Sequence, residues 1–301
     1  MKTVKKEPLI RVSKRTELPN KKIFLLRLFS VLLAIVAGGI FILLIGHNPF
    51  KVYGTIISGV FRSTLAFQGT IKIMIPLLIS ALGVTLAFKM QFWNIGAEGQ
   101  IIMGAVFASY FALYHADMPH WLLIVIMLIA GIIGGGLWGL IPTVFKCKFG
   151  TNETLFTLML NYIALYVISF LRDGPWKDPA SSGFPKIARF APNAQLDSVL
   201  GVQMGWVIGL ILVVFVFVYL KYTKNGYEIS VVGESKATAI YAGINVNKVT
   251  ILTMFLSGGI CGLAGVVQAA GSDMTLAGSV AGGVGFTAII VSWLAQLNAF
   301  G

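Results

Sequence analysis

The chain has 301 residues, of which 57% are hydrophobic and 11% charged, and its formal net charge is +12. Soluble domains usually carry about 25% charged residues, so this composition excludes an ordinary soluble domain and indicates several membrane spans. The positive charge does not indicate nucleic acid as a partner, because eight Lys and Arg residues fall within the first 22 positions and others flank apolar segments. That distribution is typical of basic residues that stay on the cytoplasmic side of a membrane.

Residues 1–22 are predicted to form a basic cytoplasmic tail, which leaves residues 23–301 as the transmembrane domain. The tail either lies on anionic membrane lipid or serves only as a topology signal. Leu28–Ile45 contains no charged residue and, with its flanks, reaches the roughly 20 residues that a helix needs to cross the hydrocarbon core. This segment is too long for a signal-peptide core and lacks a convincing cleavage site, so we predict a retained first span.

Apolar segments farther along the chain predict six more spans. Residues 47–72 mix glycine, proline and basic residues with short apolar segments, so an interfacial helix and a crossing are both open. Residues 271–285 are rich in glycine and break the helical pattern. The last apolar segment, Phe286–Leu297, is about a dozen residues long and too short for a crossing. The six predicted spans are Ile73–Phe88, Ile101–Tyr114, Trp121–Val144, Thr154–Leu171, Gly205–Leu220 and Val249–Ala270.

Two polar loops separate these spans. Residues 172–202 contain four prolines and are predicted to form the main external loop. Residues 221–248 contain four lysines, which predicts that this loop stays in the cytoplasm. The chain is therefore predicted to be an all-α, polytopic transmembrane helical bundle with a cytoplasmic N-terminus.

The loop 221–248 also contains a pattern for one short helix. Ser235 can cap its N-terminus and Gly243 can end it. The helix is too short to be stable in water alone, so its apolar face needs a partner. The residues of that face, at i, i+3, i+4 and i+7, are Ala237, Ile240, Tyr241 and Ile244.

Glycines recur about four residues apart in two of the predicted spans. Lipid gives helices no hydrophobic reason to associate, so small residues favour packing by letting backbones approach closely. This spacing predicts helix packing and not a phosphate-binding loop. The glycines are Gly131, Gly135, Gly139, Gly258, Gly262 and Gly265.

A nine-residue motif carries a resemblance to a known family. Residues 92–100 read FWNIGAEGQ, which closely resembles the signature of nucleoside-type permease subunits of ABC importers. Together with residues 152–153 (NE) and 157–162 (TLMLNY), the similarity extends over most of the chain from about Pro76 onward.

The short cytoplasmic helix carries a second resemblance. Residues 233–239 and 242–244 resemble the coupling loop of ABC importer permeases of the ribose, branched-chain amino acid and nucleoside group. This chain has Ser230, Ser235 and Thr238 where arginine, asparagine and alanine are the more common residues of that group.

The resemblance implies a multi-pass permease subunit of an ABC importer in the plasma membrane, with nucleosides or simple sugars as cargo. It implies three partners: a cytoplasmic ABC ATPase, a second homologous permease, and an extracellular substrate-binding lipoprotein. It also implies that the short helix docks on the ATPase. The implied coupling residues are Glu228, Gly233, Glu234, Ala237, Ala239, Ile240, Tyr241, Gly243 and Ile244.

Polar residues within the spans are candidates for the translocation pathway. A charge at mid-bilayer costs roughly 2.5 to 3.5 kcal/mol, so Glu98 must lie near the interface, beside a helix N-terminus, or in a polar cavity. Asn94 either caps a helix that has Glu98 in its first turn, or belongs to a broken helix that lines the pathway. Thr154, Thr157 and Asn161 either bond between helices or contact a polar substrate. The pathway candidates are Asn94, Glu98, Gln100, Thr157, Asn161 and Gln268.

No nucleotide-binding or hydrolase motif is present, so the chain is predicted not to be an enzyme and to hold no cofactor, with ATP and Mg²⁺ bound by the partner ATPase. His47, His115 and His120 are too scattered to predict a metal site. An ion-coupled secondary transporter that works without an ATPase is the alternative, and it requires titratable groups near the membrane centre. Because the family normally continues for one or two further helices, a shortened copy is also expected.

Overall fold

The computed structural model describes residues 20–301. Residues 1–19, which make up most of the predicted basic tail, lie outside the described part. The chain divides into two compact units with a boundary after Ala66, and each is described by itself.

The first unit contains α1 (Asn20–Leu44) and α2 (Pro49–Phe61). Asn48 caps α2, because its side chain accepts hydrogen bonds from the first turn, and the Tyr53 hydroxyl donates to the Ile35 carbonyl of α1 at 2.7 Å. With 13 residues, α2 is about 20 Å long and too short to cross a core of about 30 Å. For this helix, the crossing alternative is excluded.

The next helices follow the predicted order with longer bounds. Pro76 lies inside α3, twelve residues after the helix begins. Its backbone N has no hydrogen to donate, which a helix interior tolerates in a membrane protein when neighbouring groups compensate. The bounds are α3 (Thr64–Lys89), α4 (Ala97–Tyr114), α5 (His120–Phe149) and α6 (Glu153–Asp173).

The loop between α6 and the next long helix is folded, with a short 3-10 helix at Pro192–Ala194 and a two-residue hairpin of β1 (Ser198–Val199) and β2 (Val202–Gln203). The last of the long helices continues as a π-helical turn over Gln268–Asp273. The remaining helices are α7 (Gly205–Tyr222), α8 (Lys224–Glu234), α9 (Lys236–Tyr241), α10 (Val246–Val267) and α11 (Val284–Leu294).

Six helices in residues 20–301 are long and apolar enough to cross a membrane, namely α1, α3, α5, α6, α7 and α10 with its π-helical turn. This confirms the prediction of an all-α, multi-span membrane protein. The predicted span at Ile101–Tyr114 is missing from the six, because Glu98 and Gln100 in the first turn of α4 lower its hydropathy. The cytoplasmic location of the N-terminus stays a prediction.

The core of the second unit forms where α4, α5 and α10 cross. The glycines of the two spaced series lie at these crossings: a Cβ added to Gly262 would lie 3.1 Å from both the carbonyl carbon of Gly131 and the Cα of Gly135. A Cβ on Gly139 would come within 3.0 Å of the Met254 carbonyl oxygen, and one on Gly265 within 2.9 Å of the Ile101 carbonyl carbon. The backbones therefore pack directly on each other, which only glycine allows at these positions.

Candidate functional site

The turn between α3 and α4 is held together by two side-chain amides. Asn94 donates to the Gln100 carbonyl oxygen at 3.1 Å, and Gln100 donates back to the Asn94 oxygen at 3.2 Å. The same Asn94 oxygen accepts from the Gly96 backbone at 3.1 Å. The N-cap of α4 is Gly96 and not Asn94, so the predicted capping by Asn94 is wrong by two positions. Glu98 lies in the first turn, as predicted.

Two side chains of α6 fix the backbone of this turn. The Thr157 hydroxyl accepts from the Ile95 N–H at 3.2 Å. The Asn161 amide donates to the Ile95 carbonyl at 2.9 Å and accepts from the Gly99 N–H at 2.8 Å. Thr157 is fully buried and Asn161 nearly so. Of the two interpretations of this stripe, bonding between segments is the one seen in the structure.

Glu98 binds the N-terminus of α11 across the bundle. Its two carboxylate oxygens accept from the backbone N–H of Gly283 at 2.7 Å and of Gly285 at 2.8 Å. The side chain therefore lies at two helix N-termini, its own and that of α11, and both have positive dipole ends. Gly285 is needed for this approach, because a Cβ there would lie 2.6 Å from the Glu98 Cα. Of the three placements expected for this charge, the structure shows the helix N-terminus.

The pathway candidates thus fall into two groups. Asn94, Glu98, Gln100, Thr157 and Asn161 are buried and bonded to protein groups. Gln268 is instead half-buried at the start of the π-helical turn, where it donates to Asp273 at 2.9 Å. The Gln268 side chain therefore does not belong to the hydrogen-bonded group around Asn94.

A substitution at Asn161 tests how much its hydrogen bonds from α6 stabilise the turn between α3 and α4. Asn161→Ala leaves the buried Gly99 N–H without a partner, which costs about 1 to 3 kcal/mol. It also removes the donor to the part-buried Ile95 carbonyl, which costs about 1 kcal/mol because this group is less buried. We expect the free energy of unfolding to fall by roughly 2 to 4 kcal/mol, measured by thermal unfolding in detergent micelles. Ser169→Ala is the control, because the Ser169 hydroxyl only bonds the Leu165 carbonyl on the exposed side of the same helix. Equal midpoints for the two variants would contradict this role of Asn161.

The predicted cytoplasmic coupling loop, residues 221–248, contains α8 and α9. We call its residues 224–244 the coupling segment. Ser235 caps α9 through a hydrogen bond from the Thr238 N–H at 3.2 Å, as predicted, and Gly243 follows the helix with a φ of 74°. The apolar face is exposed at Ala237, while Ile240 is 67% and Tyr241 95% exposed. These three side chains touch little of their own chain, so the described part of the protein leaves them open to contact.

The other predicted coupling residues are divided between the protein interior, the surface and a cavity. Ala239 is fully buried, and a Cβ on Gly233 would lie 3.3 Å from the Met90 Cα. Glu234 is exposed at the end of α8. The remaining three, Glu228, Gly243 and Ile244, line a cavity of about 270 Å³ together with the start of α10.

An apolar cluster joins the coupling segment to the turn before α4. Ala239 of α9 and Ile229 and Val232 of α8 pack in one cluster with Met90 and Phe92 of that turn, and all five side chains are at most 3% exposed. We call it the Phe92 cluster. Its other members are Ala87, Val249 and Met254.

A second, larger cavity of about 730 Å³ lies between the 174–204 loop and the chain after the π-helical turn. Sequence reasoning missed it, because its walls come from segments that are about 100 residues apart. The one signal was the glycine-rich break after α10. We call it the loop cavity, and its polar lining residues are Arg172, Asp178, Lys186, Arg189, Ser272, Asp273 and Thr275.

No group of three His, Cys, Asp or Glu residues in the described part of the chain is arranged to hold a metal ion. Cys261 is buried and Cys147 partly buried, and both are free thiols. The predicted absence of a cofactor in this chain stays a prediction.

Comparison with protein families decides the class. Residues 65–301 match the family model described as the permease component of the branched-chain amino acid transport system. The chain belongs to this permease family. The matched region begins at α3 and covers every element of the second unit, including the turn before α4 and the coupling segment. The permease is a membrane transport subunit.

The names of curated relatives of the permease mention several different transported compounds. It is 30% identical over 257 residues to a nucleoside ABC transporter permease of Lactococcus lactis, covering 82% of this chain and 71% of the relative. It is 28% identical to a guanosine ABC transporter permease of Bacillus subtilis, over 92% of this chain and 81% of the relative. A glucose ABC transporter permease of Haloferax volcanii is 29% identical, over 90% and 74%. No solved structure matches the permease significantly.

Proposed function

We propose that this ABC importer permease carries nucleosides, with simple sugars as the next class of cargo. The names of the relatives support this cargo, since two of the three are nucleoside or guanosine permeases and one is a glucose permease. The proposed partners are a cytoplasmic ABC ATPase that binds ATP and Mg²⁺, a second homologous permease, and an extracellular binding lipoprotein that delivers the cargo.

The exposed face of α9 carries the coupling part of this proposal. Ile240 and Tyr241 are large apolar side chains on a six-residue helix, and both are mostly exposed. A surface with a central aromatic anchor is the kind that fills a pocket on a partner protein. The lysine content of residues 221–248 supports a cytoplasmic location of this face, on the side where ATP is available.

The packing around α9 connects this helix to the membrane-spanning helices, so that a displacement of α9 by the ATPase can reach them. When the ATPase pair closes on ATP and displaces α9, the Phe92 cluster passes that displacement to the turn that joins α3 to α4. Hydrogen bonds from Asn161 and Glu98 tie this turn and α4 to α6 and α11. The helices α4, α6 and α11 therefore shift as connected elements, and the pathway candidates around Asn94 move with them.

The ion-coupled alternative finds little support in the residues described. The buried carboxylate of α4 that such a mechanism would use has both oxygens occupied by backbone N–H groups. A group that must bind and release an ion in each cycle needs an accessible oxygen.

The experiment is a comparison of two equally exposed aromatic residues. Tyr241 on α9 and Phe184 in the 174–204 loop are both 95% exposed. Tyr241→Asp should reduce co-purification of a candidate ABC ATPase at least about tenfold, because an aromatic anchor at an interface contributes about 2 kcal/mol or more. It should also abolish ATP-driven guanosine uptake by the reconstituted complex. Phe184→Asp should leave ATPase binding unchanged, because we place it on the opposite side of the membrane.

Two outcomes would contradict the proposal. One is loss of the ATPase from Phe184→Asp and not from Tyr241→Asp, which would put the ATPase on the other face. The other is guanosine or glucose uptake by vesicles that contain this chain alone, driven by an ion gradient without ATP.

A further inference from the structure

The loop cavity is built by two segments that hold each other in place. The Phe190 N–H donates to the Met274 carbonyl at 2.8 Å, and the Thr275 hydroxyl lies 3.2 Å from the carbonyl oxygens of Ile187 and Ala188. The Leu196 N–H donates to the Ala270 carbonyl at 3.0 Å. The 174–204 loop is therefore fixed to the end of α10, and the cavity between them is a defined feature of the fold.

Its volume suits a small molecule, and its polar groups can hold one by hydrogen bonds. A cavity of about 730 Å³ lies within the usual range for small-molecule sites, roughly 300 to 1,000 Å³. The lining supplies donors from guanidinium, ammonium and hydroxyl groups, and acceptors from Asp178 and Asp273. The described lining residues include no aromatic side chain, so a flat nucleobase finds no stacking surface there.

The charges around the cavity balance each other. Arg172 donates to Asp173 at 2.8 Å, and Lys186 lies 4.0 Å from Asp178. Arg189 and Asp273 add one more charge of each sign to the lining. The lining itself has three basic and two acidic side chains, and Asp173, which pairs with Arg172 from outside the lining, brings the balance to three of each sign. The site therefore has little excess positive charge for a phosphate, which favours an uncharged ligand.

Two groups of the π-helical turn are poised to bind such a ligand. Ser272 belongs to the cavity lining, and its hydroxyl is covered from solvent and has no hydrogen-bond partner in the protein, which is unusual for a buried polar group. A change of rotamer about its Cα–Cβ bond would present this hydroxyl to a ligand. Asp273 has one carboxylate oxygen held by Gln268 at 2.9 Å, which leaves the other to accept a hydroxyl. Single π-helical turns inside α-helices are frequent at functional sites.

We propose that the loop cavity binds the hydroxylated ring of the cargo, with Asp273 and Ser272 as its main hydrogen-bond partners. This site rests on the proposed function, since the ligand is the sugar part of a nucleoside or a free simple sugar. Gln268 orients the Asp273 carboxylate, which gives this predicted pathway residue a positioning role.

Binding to the purified full-length chain in lipid nanodiscs tests the site without an ATPase. Saturation-transfer NMR at millimolar ligand should detect guanosine and ribose, but not the base guanine, and guanosine 5′-monophosphate should bind less than guanosine. Asp273→Asn should weaken guanosine binding about tenfold or more, as expected for loss of a charged acceptor. Asp117→Asn, an exposed carboxylate in the α4–α5 turn, is the matched control and should bind as the wild type does.

Ser272→Ala separates binding from folding. Because its hydroxyl has no partner in the protein, its removal should leave the thermal midpoint unchanged while weakening guanosine binding about fivefold, the effect of one neutral hydrogen bond. The proposed site would be overturned if both Ser272→Ala and Asp273→Asn bound guanosine with wild-type affinity. It would also be overturned if guanine bound as tightly as guanosine, or if neither guanosine nor ribose bound.

The same variants show whether a negative result contradicts the cavity proposal or the proposed function. If ATP-driven guanosine uptake occurs in the complex and is unaffected by both variants, the cavity proposal fails and the importer stands. If the wild-type complex takes up neither nucleosides nor sugars, the proposed function fails, and binding to the cavity is judged separately by the NMR result.

Discussion

Replacing Gly262 with alanine should destabilise the protein more than its single added methyl group suggests. The new Cβ would lie 3.1 Å from the Gly135 Cα and closer than that to the Gly131 carbonyl oxygen. Both are backbone atoms, so relief requires α5 and α10 to move apart along their whole crossing. We expect a loss of about 3 kcal/mol, the upper end for overpacking, which corresponds to a fall in midpoint of roughly 6 to 12 °C on heating in detergent.

Gly209→Ala provides the matched control. Gly209 also lies within a long apolar helix, but a Cβ there would meet only the side chains of Leu78 and Ile79, at 3.4 and 3.7 Å. Those are ordinary contacts, and alanine is favoured over glycine in a helix by about 1 kcal/mol. This variant should therefore keep or raise the midpoint. A Gly262→Ala protein as stable as Gly209→Ala would show that α5 and α10 do not pack as closely as described.

Removing the Glu98 carboxylate should have the largest effect of any single side-chain truncation in α4. Glu98→Ala leaves the N–H groups of Gly283 and Gly285 without their acceptors, and each such buried group costs about 1 to 3 kcal/mol. We expect a loss of roughly 2 to 6 kcal/mol in stability, measured from the unfolding midpoint in detergent. Transport by the reconstituted complex should fall to background, because α11 is no longer held to α4.

A graded series distinguishes this role from a simple effect of charge. Glu98→Gln keeps one carbonyl oxygen as an acceptor but turns an NH₂ group toward the other backbone N–H, so its stability should lie between the wild type and Glu98→Ala. Asp117→Ala removes an exposed carboxylate from the α4–α5 turn and should change little. If Glu98→Gln is as stable as the wild type, the bidentate contact with α11 contributes nothing.

Local sequence patterns predicted the long helices and the cap of α9. Runs of apolar residues located α5, α6 and α7 to within a few residues, and Ser235 identified the start of α9. The glycine spacing correctly predicted close helix packing, since helical periodicity puts such residues on one face. These features depend on neighbours in the chain, which a single sequence displays directly.

Contacts between distant segments could not be predicted in the same way. Nothing near Glu98 in the sequence indicates that its partners are Gly283 and Gly285, and nothing near Asn161 indicates Ile95. The helix α8 was missed because its mixed polar sequence has no regular apolar stripe, and its stability comes from burial of Ile229 in the Phe92 cluster. Tertiary packing decided each of these cases.

The contact between Glu98 and α11 also sets an order of events during synthesis. Its acceptor oxygens are made early, whereas the donors at Gly283 and Gly285 follow 185 and 187 residues later. At about 5 to 20 residues per second, the ribosome needs on the order of ten seconds to bridge that interval. This contact therefore forms only after α11 has been synthesised, and a nascent chain that stops before Gly283 has a Glu98 carboxylate without these two hydrogen-bond donors.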